Sequence, residues 1–199
     1  MINMSITKTE RIGEVTETST REFITQCYEL YNLPPLGSLV KAGDPPVYGV
    51  VYNSLTCSIE PGRRPTARGQ NEESEEALFR HNPQLLKLLK SEFTSLTVGY
   101  RDGGKIVHSL PPKPLLIHSF VYLCSPEEVK EFSKELDFLN ILVSTHLPVA
   151  CEEITSACLK LMADCHEDRH AFLVKAGKKL TVLLRGNFSE LRIILERIE

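Results

Sequence analysis

Residues 11–58 constrain the fold more than any other part of the chain. Short runs of β-branched and apolar residues are interrupted there by Pro, Gly and Asp at close intervals. Such a pattern predicts short strands joined by tight turns, as in a small β-barrel. The predicted strands cover 11–20, 22–29, 36–41 and 47–55, and the sequence AGDPP at 42–46 is a turn between the last two.

The pattern changes at residue 59 and returns later. Residues 59–77 contain three arginines followed by four glutamates and lack apolar periodicity, which predicts an exposed loop. The leucines that follow predict a helix over 83–92. Strands are then expected at 95–101 and 105–110, joined by a hairpin turn at 102–104, with a last strand over 115–123.

Helical spacing begins at Ser125. Ser-Pro-Glu-Glu predicts an N-cap, proline at the first helical position and acidic residues in the first turn. Further helices are expected from about Pro148, over 168–184, and from Asn187 to Ile198, giving a four-helix region. The predicted class is therefore α+β. A small Greek-key-like β-barrel occupies 1–124, with a charged loop and helix inserted at 59–92, and a helical region occupies 125–199.

Composition excludes several classes of protein. The formal net charge of −3 does not favour nucleic acid or an anionic membrane as a partner. No apolar run approaches the ~20 residues that span a bilayer. The N-terminal sequence lacks a basic segment followed by an apolar one, so no secretory signal is expected. These features predict a cytoplasmic protein that contacts neither membrane nor nucleic acid.

Three of the six cysteines, Cys151, Cys158 and Cys165, recur every seven residues. Seven helical residues rise about 10.5 Å, too far for the thiolates to share one metal ion. A disulfide would need Cα atoms within about 7 Å, so it is excluded as well. We expect the three to be small buried residues on the apolar face of a helix.

Residues 11–124 resemble the HAS-barrel family, the barrel that precedes the motor domain in HerA-type translocases and in the α and β subunits of rotary ATP synthases. The resemblance lies in IGEV at 12–15, in LGSLV at 36–40 followed by VYGVV at 47–51, and in VGY at 98–100 before a glycine-rich turn and a proline-rich link. It implies a packing and assembly element that forms rings.

The family's ATPase is not implied for this chain. A P-loop needs Gly-x-x-x-x-Gly-Lys-Ser/Thr to bind phosphates and magnesium. Gly103-Gly104-Lys105 is followed by Ile106, and Gly177-Lys178 by Lys179, so neither glycine–lysine segment supplies the hydroxyl. We expect no cofactor and no enzymatic activity.

One string could hold a metal. His166-Glu167-Asp168-Arg169-His170 fits H-E-x-x-H, in which two histidines on one helix face bind zinc and the glutamate acts as general base. Glu190 is a possible third ligand. Charged residues at both middle positions and the preceding β structure are atypical of zinc proteases. We expect no metal, with His166, His170 and Glu190 as the candidates if one binds.

The leading prediction is a non-enzymatic assembly or protein-interaction module that forms homo-oligomers, in rings, or docks onto a protein partner. A zinc-dependent hydrolase that uses the HEDRH string is the first alternative. A nucleic-acid accessory factor is the second, with a basic set at its interface comprising Lys175, Lys178, Lys179 and Arg185.

Overall fold

The computed structural model describes residues 11–199 and combines seven strands with seven helices, which confirms the α+β class. The first ten residues of the predicted 1–124 unit lie outside the described residues. The strands are β1 (Arg11–Thr18), β2 (Glu22–Cys27), β3 (Leu39–Ala42), β4 (Val47–Ser58), β5 (Leu89–Asp102), β6 (Lys105–Val107) and β7 (Phe120–Leu123). The helices are α1 (Glu75–His81), α2 (Gln84–Lys87), α3 (Pro126–Phe132), α4 (Phe138–Ser144), α5 (Cys151–Ala163), α6 (Arg169–Leu183) and α7 (Phe188–Ile198).

The strands form one antiparallel sheet in the order β2-β1-β7-β3-β4-β5-β6, and β2 also pairs with β5. This extra pairing joins six strands into a closed circuit, which we call the strand ring, and β6 extends from β5 outside it. The description of this ring as a Greek-key-like barrel with a helical insertion stays a prediction.

Strands β3 and β4 of the strand ring are buried on both of their faces. Adjacent residues of a strand point to opposite faces. Leu39 and Val50 belong to a core shared with the helices, whereas Val40 and Val51 belong to a second core with Phe23 and Phe93. Burial on both sides explains why residues 47–52 of β4 carry no charged side chain and do not alternate between apolar and polar.

The second core lies inside the strand ring. Phe23 on β2 lies so close to Gly49 on β4 that a Cβ at Gly49 would be 2.7 Å from the phenyl ring. Strands β2 and β4 are not neighbours in the sheet, because β5 lies between them. Their contact therefore crosses the interior of the ring.

Two predictions between residues 59 and 92 are corrected. The loop predicted over 59–77 already contains the start of α1, where the Ser74 side chain accepts a hydrogen bond from Ala77 N at 3.1 Å. The helix predicted over 83–92 shrinks to α2, because β5 begins at Leu89 and pairs with Ser58 of β4. The long β4–β5 ladder overrides the local helical preference of the leucines.

The strand predicted over 115–123 is also shorter than expected. Ser119 N donates to Leu116 O at 3.1 Å, so residues 116–119 form a turn and only Phe120–Leu123 is strand. His118 within this turn has φ 67°, a left-handed conformation that a strand does not contain.

The C-terminal region contains five helices rather than four. The predicted cap of α3 is confirmed, because Ser125 and Glu128 form a complete capping box with Pro126 following the cap. The helix ends at Phe132, and α4 begins anew at Phe138. Asn187 caps α7, since its side chain accepts from Glu190 N.

Apolar residues of α6 and α7 form an intramolecular core. Leu180 and Ile194 are fully buried, and Leu184, Leu191 and Ile198 are nearly so. They pack with α4 and α5 in the core that also covers β3–β5. These five side chains therefore stabilise the fold and leave other residues of the two helices to face solvent.

Candidate functional site

The HEDRH string does not lie on one helix. Helix α5 ends at Ala163 and α6 begins at Arg169, so His166 lies in the connection and His170 in the first turn of α6. The Asp168 side chain starts the new helix by accepting from Ala171 N at 2.8 Å. The helix predicted over 168–184 begins at this residue, and Asp is a favoured N-cap residue. His170 is exposed, whereas His166 is partly buried.

Glu190 lies at the start of α7, where it meets Cys151 and Glu152 at the start of α5. The ligand atoms of these three residues lie within 4.8 Å of one another, the only such group of His, Cys, Asp and Glu in residues 11–199. The Cys151 thiol donates to the Glu190 carboxylate. Burial, followed by this hydrogen bond, raises the pKa of the Cys151 thiol to about 12. The contact is therefore a thiol–carboxylate hydrogen bond that joins α5 to α7.

The cysteine series matches its prediction only in part. Cys158 is fully buried on α5, as expected. Cys151 at the start of the helix is partly buried, and Cys165 lies beyond the helix end with partial exposure. All six cysteines are free thiols in the structure.

His166 lies against a cavity of about 520 Å³ between α3 and the start of α6. Its ring stacks on Phe172, with centroids 4.3 Å apart, and its Nε2 lies 2.8 Å from Ser133 Oγ. The remaining lining is mostly charged and comprises Lys130, Lys134, Glu167, Asp168, Ala171 and Lys175. Of the predicted basic set, only Lys175 lines this cavity.

A second cavity, of about 430 Å³, lies between the charged loop and helices α1 and α2. Arg63, Arg64 and Arg68 line it together with Leu78 and Phe79. The Arg63 guanidinium is paired with Glu60 at 2.8 Å. The loop expected to be solvated on all sides therefore forms one wall of a cavity.

Residues 11–199 leave the outer surface of the strand ring uncovered along β1 and β7. We call it the β1–β7 face and define it by Arg11, Glu14, Tyr28, Leu116, Ile117, His118 and Phe120. Leu116 is 79% exposed, Tyr28 50% and Phe120 42%. The Arg11 guanidinium carbon lies 3.8 Å from the Phe120 ring centroid. Tyrosine, phenylalanine and arginine are enriched where proteins bind one another.

Glu14 organises the β1–β7 face. One carboxylate oxygen accepts from Tyr28 OH at 3.0 Å, and the other lies 2.7 Å from His118 Nδ1. Phe120 faces Glu14 in the β1–β7 pairing. The hydrogen bond with His118, followed by that with Tyr28, holds the pKa of the Glu14 carboxyl below its ordinary value of 4.5.

The turn that presents Leu116 and Ile117 is fixed to β1 by its backbone. His118 N donates to Val15 O at 2.8 Å, and Val15 N donates to Ser119 O at 2.9 Å. The left-handed His118 is therefore held on both sides by the strand it packs against. Exposed apolar side chains on an anchored turn lose little freedom on binding, which favours association.

Exposed apolar side chains also occur on the last two helices. Val174 and Val182, two turns apart on α6, share one exposed side of the helix. Phe188 at the start of α7 is 74% exposed. We call Val174, Val182 and Phe188 the α6–α7 patch. Sequence reasoning missed both surfaces, because periodicity predicts which residues can be buried but not which apolar residues stay uncovered.

The chain matches no known family model, and no curated protein is similar enough to it to be identified as a relative. Within residues 11–199, no helix combines the length and the apolar composition needed to cross a membrane.

Proposed function

We propose that this protein is a non-enzymatic assembly module that forms a homo-oligomeric ring. In this proposal the strand ring is a HAS-type barrel, and the β1–β7 face is its principal contact surface. The observation that carries the proposal is the anchored, exposed apolar turn at Leu116 and Ile117 beside Tyr28 and Phe120. Contiguous exposed apolar surface of this kind is characteristic of interaction sites.

A closed ring of identical subunits needs two different patches on each copy, one meeting the other on the next copy. The β1–β7 face and the α6–α7 patch supply such a pair, because one lies on the strand ring and the other on the helices. This division supports a cyclic oligomer rather than a two-fold dimer.

The test is light scattering on the eluting protein at about 100 μM, a concentration far above specific dissociation constants. The wild type should be oligomeric, whereas Leu116→Asp and Val182→Asp should each be monomeric. Leu86→Asp, which places the same charge at an exposed leucine outside both patches, should leave the oligomer intact.

Mixing the two monomeric variants sharpens the test. Each variant retains the patch that the other has lost, so one intact interface can form, and the mixture should give dimers but no larger species. A wild type that stays monomeric at about 100 μM would sink the homo-oligomer proposal. A mixture that stays monomeric would contradict the pairing of these two patches.

A further inference from the structure

The cavity between α3 and α6 carries an excess of positive charge that the assembly proposal does not use. Lys130, Lys134 and Lys175 line it together with His166. Lys175 Nζ donates to the backbone carbonyl of Lys134, a neutral acceptor that leaves its charge uncompensated. Three lysines around one opening repel one another, so an anion bound there is favoured electrostatically.

The acidic residues of the cavity compensate this charge poorly. Lys130 Nζ lies 3.9 Å from Glu167, whose side chain is 97% exposed, so this ion pair is weak. Asp168 is occupied as the N-cap of α6. Asp164, on the neighbouring turn, pairs with Arg169 at 3.1 Å. Neither Lys134 nor Lys175 has a carboxylate within 4.0 Å in the described part of the chain.

Hydrogen bonding fixes the tautomer of His166. The Ser133 hydroxyl has one proton, and at 2.6 Å from Val129 O it donates that proton to the carbonyl. Ser133 Oγ must then accept from His166 Nε2–H at 2.8 Å. Nδ1 of neutral His166 therefore carries the free lone pair, and it becomes an N–H donor when the ring is protonated. No residue among 11–199 hydrogen-bonds to this Nδ1.

We propose that this cavity binds the phosphate group of a small phosphate monoester, with Lys130, Lys134, Lys175 and Nδ1 of His166 as its ligands. A volume of about 520 Å³ is that of a small-molecule site and exceeds what the ion alone fills. The remaining space, bordered by Ala171 and Phe172, accommodates the organic part of the ester.

The protonation of His166 reports on binding. Burial, followed by the charges of Lys130 and Lys175, lowers the pKa of His166. Glu167 and Asp168 are the anionic groups at the same opening, and Cys165 adjoins it. A bound phosphate dianion offsets the lysine charges, so the pKa of His166 should rise on binding. A purely structural histidine would not respond.

The experiment titrates the full-length protein with glycerol 1-phosphate and, separately, with inorganic phosphate at constant ionic strength. NMR follows the histidine ring protons, and the His166 signals are identified by their loss in His166→Ala. We expect saturable binding, tighter for the ester than for inorganic phosphate, and a rise in the His166 titration midpoint with either ligand. Equal affinities for the two would overturn the assignment to an ester.

Matched lysine variants localise the site. Lys134→Met and Lys175→Met should each weaken ester binding about tenfold or more, because each removes a charge-assisted contact. Lys178→Met makes the same change on α6 outside the cavity and should alter affinity less than about twofold. Lys134 and Lys175 are both exposed, so both variants are expected to remain folded.

Two results would overturn the proposal. One is the absence of saturation with either ligand up to about 20 mM, well above the affinity range of specific sites. The other is an equal loss of affinity in Lys178→Met and Lys134→Met, which would mean that binding follows net charge rather than the cavity.

Discussion

The two sides of the strand ring differ in what covers them. Outside β3, β4 and β5, the helices bury Tyr48, Val50 and Val98 in a continuous core. Outside β1 and β7, Tyr28 and Phe120 remain half exposed and are held by Glu14 and Arg11. Aromatic side chains thus stabilise the fold on the covered side, whereas on the uncovered side they are fixed in place without being buried. The same ring therefore has one side buried against the helices and one side that the described residues leave exposed.

The largest expected contrast comes from two phenylalanines. Phe132 on the covered side packs against Tyr48, His108 and Phe138, with ring centroids 4.6–5.2 Å apart. Phe132→Ala should lower the free energy of unfolding by about 3–5 kcal/mol, because it leaves a cavity in the core. Phe120→Ala on the uncovered side should cost about 1 kcal/mol or less.

Urea unfolding of dilute monomeric protein measures both values. The slope of the unfolding free energy against urea concentration should be the same for both variants, which would show that their denatured states are comparable. Similar losses for the two variants would mean that the β1–β7 face is part of the folding core, and the contrast between the two sides would be lost.

The next effect concerns the contact between the strand ring and the helices. Gly37 has φ 84°, and a Cβ there would lie 2.4 Å from the backbone N of Cys158 on α5. Gly62 has φ 78° but nothing within 4 Å. Alanine at either site should cost about 1–2 kcal/mol for the left-handed backbone.

Gly37→Ala should lose a further 1–3 kcal/mol, because the close approach of α5 cannot accommodate the methyl group. Calorimetry of the two variants gives the difference directly. Equal losses of unfolding free energy in the two variants would show that α5 can move away from the strand ring to accommodate the methyl group. The covered side would then not be tightly packed.

A smaller effect is expected for surface charge on the uncovered side. Leu116→Asp should change the free energy of unfolding of the monomer by less than about 0.5 kcal/mol, since its side chain contacts mostly solvent. Denaturant unfolding at a protein concentration too low for association measures the free energy of unfolding of the monomer alone. A large loss of stability would show that Leu116 serves the fold and would remove the reason for assigning it to an interface.

Much of the fold follows from the sequence because its signals are local. The cap at Ser125, the cap at Asn187 and the strands around Gly49 depend on a few adjacent residues. The errors arise where pairing with a strand far away in the sequence determines the local structure. Residues 89–92 have helical spacing but join β5 because β4 lies beside them, and the sequence carries no local record of that neighbour.

The candidate sites were less predictable. The sequence singled out His166 as part of a metal-binding motif, but in the structure it is surrounded by lysines and a serine. Lys130, Ser133 and Lys134 precede it by more than thirty residues, and Lys175 follows it on α6. Glu190 was predicted beside the histidines and instead contacts Cys151 through the packing of α7 on α5. The β1–β7 face unites residues 11–28 with 116–120, which only the β1–β7 pairing brings together.

The smallest expected effect is the pH dependence of the β1–β7 face. The pKa of the Glu14 carboxyl is lowered from 4.5 by the hydrogen bonds with His118 and Tyr28. A lowered folded-state pKa stabilises the protein above the unfolded pKa, and this stabilisation is lost as pH falls through the lower, folded value. The advantage of wild type over Glu14→Gln should therefore shrink as the pH falls below 4.5. Urea midpoints measured from neutral to acidic pH give this curve.

The partner variant identifies the cause. In a His118→Gly background, where glycine accepts the left-handed backbone, Glu14→Gln should lose most of its pH-dependent effect, because His118 contributes most to the lowered pKa. An undiminished effect would place the cause outside the Glu14–His118 contact. In that case the two backbone hydrogen bonds to Val15 hold the turn without a contribution from the Glu14–His118 contact. The exposure of Leu116 would then not change when the pH is lowered.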